Sequence, residues 1–166
     1  MYGMTHPIWL QRKEEMIKTR KAGLKDSTII FEWRNDELTR TMSHTTDIVD
    51  WEGHSAWFAS SLENKNRLLL LCENKNDSKK MAVVRFDVNS TRALVSINLA
   101  PDMRGKGISK QCLSGSIESF KNEFPQVTTL DAEIKLENVA SQRLFKSIGF
   151  VNIRDAVDTL YFEYFI

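Results

Sequence analysis

The segment Pro101–Asp102–Met103–Arg104–Gly105–Lys106–Gly107–Ile108 restricts what this chain can fold into more than any other part of it. It follows a β-type run, Leu94 to Leu99, and opens a helix-type segment, Ser109 to Lys121. Two glycines two apart at such a junction let the backbone turn with its N–H groups on one side. Unpaired N–H groups and the helix dipole there both favour an anion. Arg104 and Lys106 add positive charge. The guest that such a loop suits is a phosphate or pyrophosphate. No Gly-Lys-Ser/Thr ends it, as in a P-loop, and it lacks the three glycines of a dinucleotide fingerprint. Taken alone, the turn is equally an ordinary strand-to-helix junction.

A second segment, Asn138-Val139-Ala140-Ser141-Gln142-Arg143-Leu144-Phe145-Lys146-Ser147-Ile148-Gly149-Phe150, follows about thirty residues later. Asn138 suits a helix N-cap, Leu144 and Phe145 share a face, and Gly149 suits a C-terminal stop. Together, R-G-K-G-I and N-x-x-S-x-x-L-F-x-x-x-G-F resemble the GNAT superfamily of acetyl-CoA-dependent N-acetyltransferases, over roughly Met16 to Phe165. The resemblance implies that Arg104, Gly105, Lys106, Gly107, Ile108 and Ser109 hold the coenzyme A pyrophosphate. It implies that the second helix, through Asn138, Ser141, Phe145 and Lys146, borders the pantetheine arm and the acetyl group. The first position of the loop motif, commonly Gln or Arg, is here Asp102, an acid also found there in many small-molecule and N-terminal acetyltransferases of the family.

Bulk properties set outer bounds. A length of 166 residues with 42% hydrophobic content fits one domain with an ample core, residues 1–14 being a lead-in that is either flexible or packed on a neighbour. A net charge of +1 gives no broad electrostatic case for nucleic acid. Met1 to Glu15 has no long apolar run, and no stretch reaches membrane-spanning length, so the expected compartment is the cytoplasm. Cys72 and Cys112 form neither a disulfide framework nor a metal spacing and read as small core residues.

Along the chain, Met16 to Ala22 reads as a strand. Asp26 or Ser27 caps a helix through Trp33, which Asn35-Asp36 breaks, and Ser43 to Asp47 reads as a loop. Asp50 to Leu62 reads as an amphipathic helix with Trp51, Ser55, Phe58 and Leu62 near one face. Arg67 to Glu73, Met81 to Asp87 and Arg92 to Leu99 read as an antiparallel meander separated by Asn/Asp/Ser/Lys turns. Thr128 to Ile134 and Thr159 to Phe165 are further strands, around a helix from Asn138 to Ser147. The fold class is α/β (α+β): a mixed, mostly antiparallel sheet of about six to seven strands with about four flanking helices. This order matches the GNAT arrangement, in which strands splay to admit the coenzyme. A bulge near Leu99-Ala100 is the expected cause of the splay, freeing backbone groups there for pantetheine.

Making an amide from a thioester needs a neutral amine, and amines are mostly protonated at pH 7. A base is therefore required, with stabilisation of the oxyanion and the departing thiolate. Glu133 is the candidate base: it lies in an otherwise apolar strand, five residues before Asn138, and a glutamate at this spacing has that role in related enzymes. An interior position would suit it; the bland alternative is a solvated glutamate on an outward face. The family's usual general acid is a tyrosine seven residues after the asparagine, where this chain has Phe145. Proton delivery to the thiolate must then come from water, substrate or another group. His6, His44 and His54 are too scattered for a metal site, and His44 and His54 read as surface residues.

The run F-E-W-R-N-D at Phe31–Asp36, Met42, and W-x-x-H-x-x-W-F from Trp51 to Phe58 resemble one GNAT branch: the N-acetyltransferases of the pseudaminic acid pathway. That resemblance implies a UDP-linked 4-amino-4,6-dideoxy sugar as acceptor. Arg34, Asn35, Ser43, His44 and Arg85 would line its pocket, with Trp33, Met42 and Trp57 as aromatic or apolar wall. The alternatives are an acetyltransferase of protein N-termini, small amines or antibiotics, and a module that binds acyl-CoA without turnover. The expected cofactor is acetyl-CoA with no metal; the expected partners are a small-molecule acceptor and at most a second copy, as monomer or homodimer, with no nucleic acid and no membrane.

Overall fold

Leu68 to Cys72 is apolar at every position, a pattern that suits a strand covered on both faces. In the computed structural model, which describes residues 16–166, that run is the middle of β2 (Arg67–Asn74), and all five residues are buried. It pairs antiparallel with β1 (Ile17–Lys21) and β3 (Lys80–Asn89), and β3 pairs antiparallel with β4 (Arg92–Leu99). β5 (Thr129–Lys135), β6 (Val151–Asp155) and β7 (Thr159–Phe165) complete a seven-stranded sheet of order β1-β2-β3-β4-β5-β7-β6. The lead-in and His6 lie outside the described residues.

Among the described residues, five α-helices cover the sheet: α1 (Ser27–Asn35), α2 (Glu37–Met42), α3 (Trp51–Glu63), α4 (Ser109–Glu123) and α5 (Val139–Ile148). One face carries Phe86, Val95, Leu113, Phe120, Leu130, Phe145 and Phe162 in a single core, with Phe86 and Phe120 stacked at 4.2 Å between ring centres. The opposite face packs Ile30, Trp33 and Phe58 on Leu69, Leu71, Met81 and Val83. Cys72 and Cys112 are both fully buried free thiols, as expected.

The splay has a different origin from the one expected. β3 and β4 stay in unbroken register from Asn89↔Arg92 to Ala82↔Leu99, with no bulge at Leu99-Ala100. The opening arises because β4 and β5, running parallel, pair only over Arg92–Leu94 and Thr129–Asp131. Beyond Leu94 the β5-facing edge of β4 has no strand partner, so its backbone groups are free toward a ligand. Two elements were not anticipated, α2 and β6. The buried face of α3 is also rotated from expectation: His54, Phe58 and Ser61 are buried, while Trp51 is 44% exposed.

Candidate active site

A cavity of about 620 Å³ opens where β4 and β5 part, bounded by the glycine loop, the start of α5, and α1–α2 with the segment after them. The loop has the predicted conformation. Gly105 and Gly107 have φ of +71° and +72°, left-handed values that favour glycine. A Cβ at either would meet nothing within 4 Å, so the constraint is backbone angle, and the space in front is open to a ligand. Ile108 then precedes α4 without a side-chain cap, which leaves the first-turn amides available to an anion. The loop is tied down at its start: Met103 is buried, and Asp102 pairs with Lys79 at 2.6 Å. That pairing holds the Asp102 carboxyl below its ordinary value.

Opposite, Asn138 caps α5 by accepting the Ser141 N–H at 3.2 Å, and Gly149 ends the helix with φ +119°. Asn138, Ser141 and Phe145 line the cavity together with Leu99, Arg104, Gly105, Gly107, Ile108 and Ser109. Three expected contacts lie elsewhere. Ala100 is buried behind the strand end, its N–H bonded to the Met81 carbonyl at 2.9 Å. Lys106 and Lys146 are not among the cavity-lining residues, and the Lys146 Nζ sits 5.9 Å from the centre of the Phe162 ring. Arg104 reaches the wall, but its guanidinium donates to the Asp36 carboxylate and, at 3.0 Å, to Thr39 Oγ1. The Arg104 bond is also the main cause of the lowered Asp36 pKa.

Glu133 lines this cavity and a shallower one of about 410 Å³ across the sheet face. The expectation of an interior glutamate is corrected. Ala132 and Ile134 point into the core, so strand alternation turns Glu133 outward, and its side chain is exposed. No hydrogen bond or ion pair holds its carboxylate among the described residues.

The other half of the cavity is lined by Arg34, Met42, Ser43, His44, Trp57 and Arg85. Three guanidinium groups surround the Trp57 ring: Arg34 at 4.8 Å, Arg67 at 5.6 Å and Arg85 at 5.9 Å. Asp87 serves both Arg67 and Arg85, and Arg34 has no carboxylate partner among the described residues. Burial, together with the neighbouring Arg85 charge, pushes the Arg34 pKa down from its ordinary value. Arg85 is lowered by burial against the opposing pull of Asp87. Asn35 is not a wall residue. Its amide donates to the Val49 carbonyl and its oxygen accepts the Val49 N–H, both at 2.8 Å, which clamps the segment carrying Ser43 and His44. Trp33 is likewise core, 5% exposed, not wall.

Sequence reasoning misplaced His54. It is fully buried, its Nε2–H donates to the Ser27 carbonyl at 3.0 Å, and it lies among Phe31, Trp51, Trp57 and Phe58. Burial pushes its imidazole below the ordinary histidine range. His54 thus fixes α3 against α1 beneath the Trp57 wall. The i, i+4, i+7 spacing of His54, Phe58 and Ser61 was the available signal.

Known proteins agree with this geometry. A domain from Methanocaldococcus jannaschii superposes with a TM-score of 0.79 at 21% identity, covering 90% of this chain and 98% of that one. Spermidine N-acetyltransferase from Vibrio cholerae, solved with CoA and spermine, gives 0.80 at 14% identity, covering 90% and 95%. The yncA protein of Salmonella typhimurium, solved with acetyl-CoA, gives 0.72 at 20% identity, covering 90% and 94%. At these identities the superpositions speak to fold alone. No curated protein matches the sequence. The acetyltransferase (GNAT) domain model matches residues 18–151, most of the chain, and the protein therefore belongs to the GNAT family and is an acyltransferase.

Proposed function

We propose that the protein transfers the acetyl group of acetyl-CoA to the amine of a nucleotide-linked amino sugar, a UDP-linked 4-amino-4,6-dideoxy sugar of the pseudaminic acid type. The coenzyme supplies an acetyl group activated as a thioester. The glycine loop and the bare start of α4 receive its pyrophosphate, and the free edge of β4 receives the pantetheine amides. Glu133 takes the proton of the attacking amine, directly or through one water. The amide bond forms as the C–S bond breaks, and solvent protonates the thiolate, since Phe145 has no proton to give.

The observation that carries the acceptor is the charge of its half of the cavity. Arg34 and Arg85 line it together with the Asp47 carboxylate, and Asp87, next to the two arginines, is already shared between Arg67 and Arg85. A diphosphate complements that surface. A polyamine, such as the spermine bound by the V. cholerae enzyme, would meet like charge there. The Trp57 face and Met42 offer an apolar wall for a base or a sugar methyl.

The test offers purified protein acetyl-CoA with the UDP-amino sugar, a peptide, spermidine or an aminoglycoside, and follows release of the CoA thiol. The nucleotide sugar is expected to react fastest; faster acetylation of any of the others overturns the acceptor. Arg34→Met is expected to lower kcat/KM for the nucleotide sugar about tenfold or more, because a hydrogen bond to a charged group contributes ~1.5–3 kcal/mol. Acetyl-CoA binding should be unaffected by that change.

The coenzyme loop has its own test. Gly107→Val places a β-branched side chain at φ +72° in the open space before the loop. Acetyl-CoA affinity measured by calorimetry is expected to fall at least ~tenfold, equivalent to ~1.4 kcal/mol. A folded variant with wild-type affinity would remove the loop from the coenzyme site.

A further inference from the structure

We propose that Asp36 is a positioning residue that couples the coenzyme loop to the acceptor wall. This rests on the placement of coenzyme and acceptor given above. Asp36 is the hinge between α1 and α2: it ends the first helix and caps the second by accepting the Thr39 N–H at 3.1 Å. Its carboxylate is also where the Arg104 side chain ends, at the start of the glycine loop. Arg104 reaches Thr39 Oγ1 as well, and Thr39 lies 3.4 Å from Asn98 Oδ1 on the free edge of β4. Loop, α2 and open strand edge thus meet at one ion pair.

From α2 the connection runs on through polar ties. Arg40 donates to the Asn35 carbonyl at 3.2 Å and to the Thr46 carbonyl at 3.1 Å. Asn35 clamps Val49 from both sides. Between those anchors lies the segment that carries Ser43, His44 and Asp47 into the cavity. α2 has no buried residue, so apolar packing contributes little to its order. An element held by a few polar bonds belongs to the low-stability end of a structure, and its order follows that of its anchors. Coenzyme that fixes Arg104 through the loop backbone fixes Asp36, α2 and residues 43–49 in turn. The Asp36–Arg104 pair is thus the link through which order in the coenzyme loop reaches the acceptor wall.

The test is hydrogen exchange on the full chain, with and without saturating acetyl-CoA, alongside calorimetry of acetyl-CoA binding. In the wild type, peptides spanning residues 36–50 should exchange at least ~fivefold more slowly with coenzyme bound, the low end of typical coupling. In Asp36→Asn that gain should vanish while acetyl-CoA affinity stays within about twofold. Arg104→Gln should lose the gain in the same way, Arg104→Lys should keep it, and the double variant should be no worse than either single one. Wild-type protection in Asp36→Asn and Arg104→Gln overturns the proposal. So does a tenfold loss of acetyl-CoA affinity in Asp36→Asn, which would make Asp36 a support of the loop itself. A wild type that binds acetyl-CoA with no change at residues 36–50 overturns this proposal alone; one that binds no acetyl-CoA overturns the coenzyme reading with it.

Discussion

Glu133→Gln is expected to lower kcat by ~10²–10⁴-fold, the usual cost of removing a general base, and to leave acetyl-CoA affinity unchanged. The reason is positional. Glu133 stands on β5 just past the point where β5 leaves β4, and its side chain faces both cavities on the open side of the sheet. It is exposed and has no hydrogen-bond or ion-pair partner among the described residues, so the substitution removes basicity without breaking a contact there, and folding stability should shift by no more than ~0.5 kcal/mol. The measurement is turnover at saturating acetyl-CoA with the best acceptor found. Wild-type turnover of Glu133→Gln from pH 6 to 9 would place the base elsewhere.

The parts of the fold that were legible in the sequence are those fixed by short-range chemistry. Asn138 and Gly149 bracket α5 because a cap bond and a left-handed stop depend on residues a few positions apart. The meander and the glycine loop read correctly for the same reason. α2 escaped notice because six residues with nothing buried leave no apolar period. β6 escaped because it is an edge strand, every residue exposed, with a bulge between Asn152 and Arg154 that erases the alternation. The site divides along the same line. The conformation of the loop and the cap was legible in local pattern, but the positions of Arg104, Asn35 and His54 depend on partners 68, 14 and 27 residues away. Side chains chosen for reach and charge gave no sign of which distant group they serve.

Asp26→Ala is expected to cost about 3–5 kcal/mol of folding stability, the range for breaking a buried ion pair. Asp26 is fully buried at the turn that leads into α1. Arg20 reaches it with two nitrogens, each at 2.8 Å, Lys80 with a third at 2.8 Å, and the Gly23 N–H with a fourth bond at 2.8 Å. Arg20 also binds Glu73 at 2.7 Å, so one arginine joins β1, β2 and the start of α1. Removing the carboxylate leaves Arg20 with Glu73 and the Lys21 carbonyl, and Lys80 with no carboxylate partner among the described residues. Both cations are 26% exposed, and solvent takes up part of the loss, which puts the expected value toward the lower end. The pH dependence gives an independent check. Burial alone would raise the Asp26 pKa, but Arg20, Lys80 and the Gly23 N–H outweigh it and hold the carboxyl well below the usual carboxylate range. A depressed native value means the contribution is fully present above the unfolded pKa of ~3.9 and is lost as pH falls through the native value. The stability gap between wild type and Asp26→Ala, from denaturant titrations, should therefore narrow between pH 5 and pH 2. A gap of constant size would show that packing, not charge, carries the contribution. The network stands at the base of the helix that presents Arg34, so the same substitution should weaken the acceptor wall before it touches the coenzyme loop.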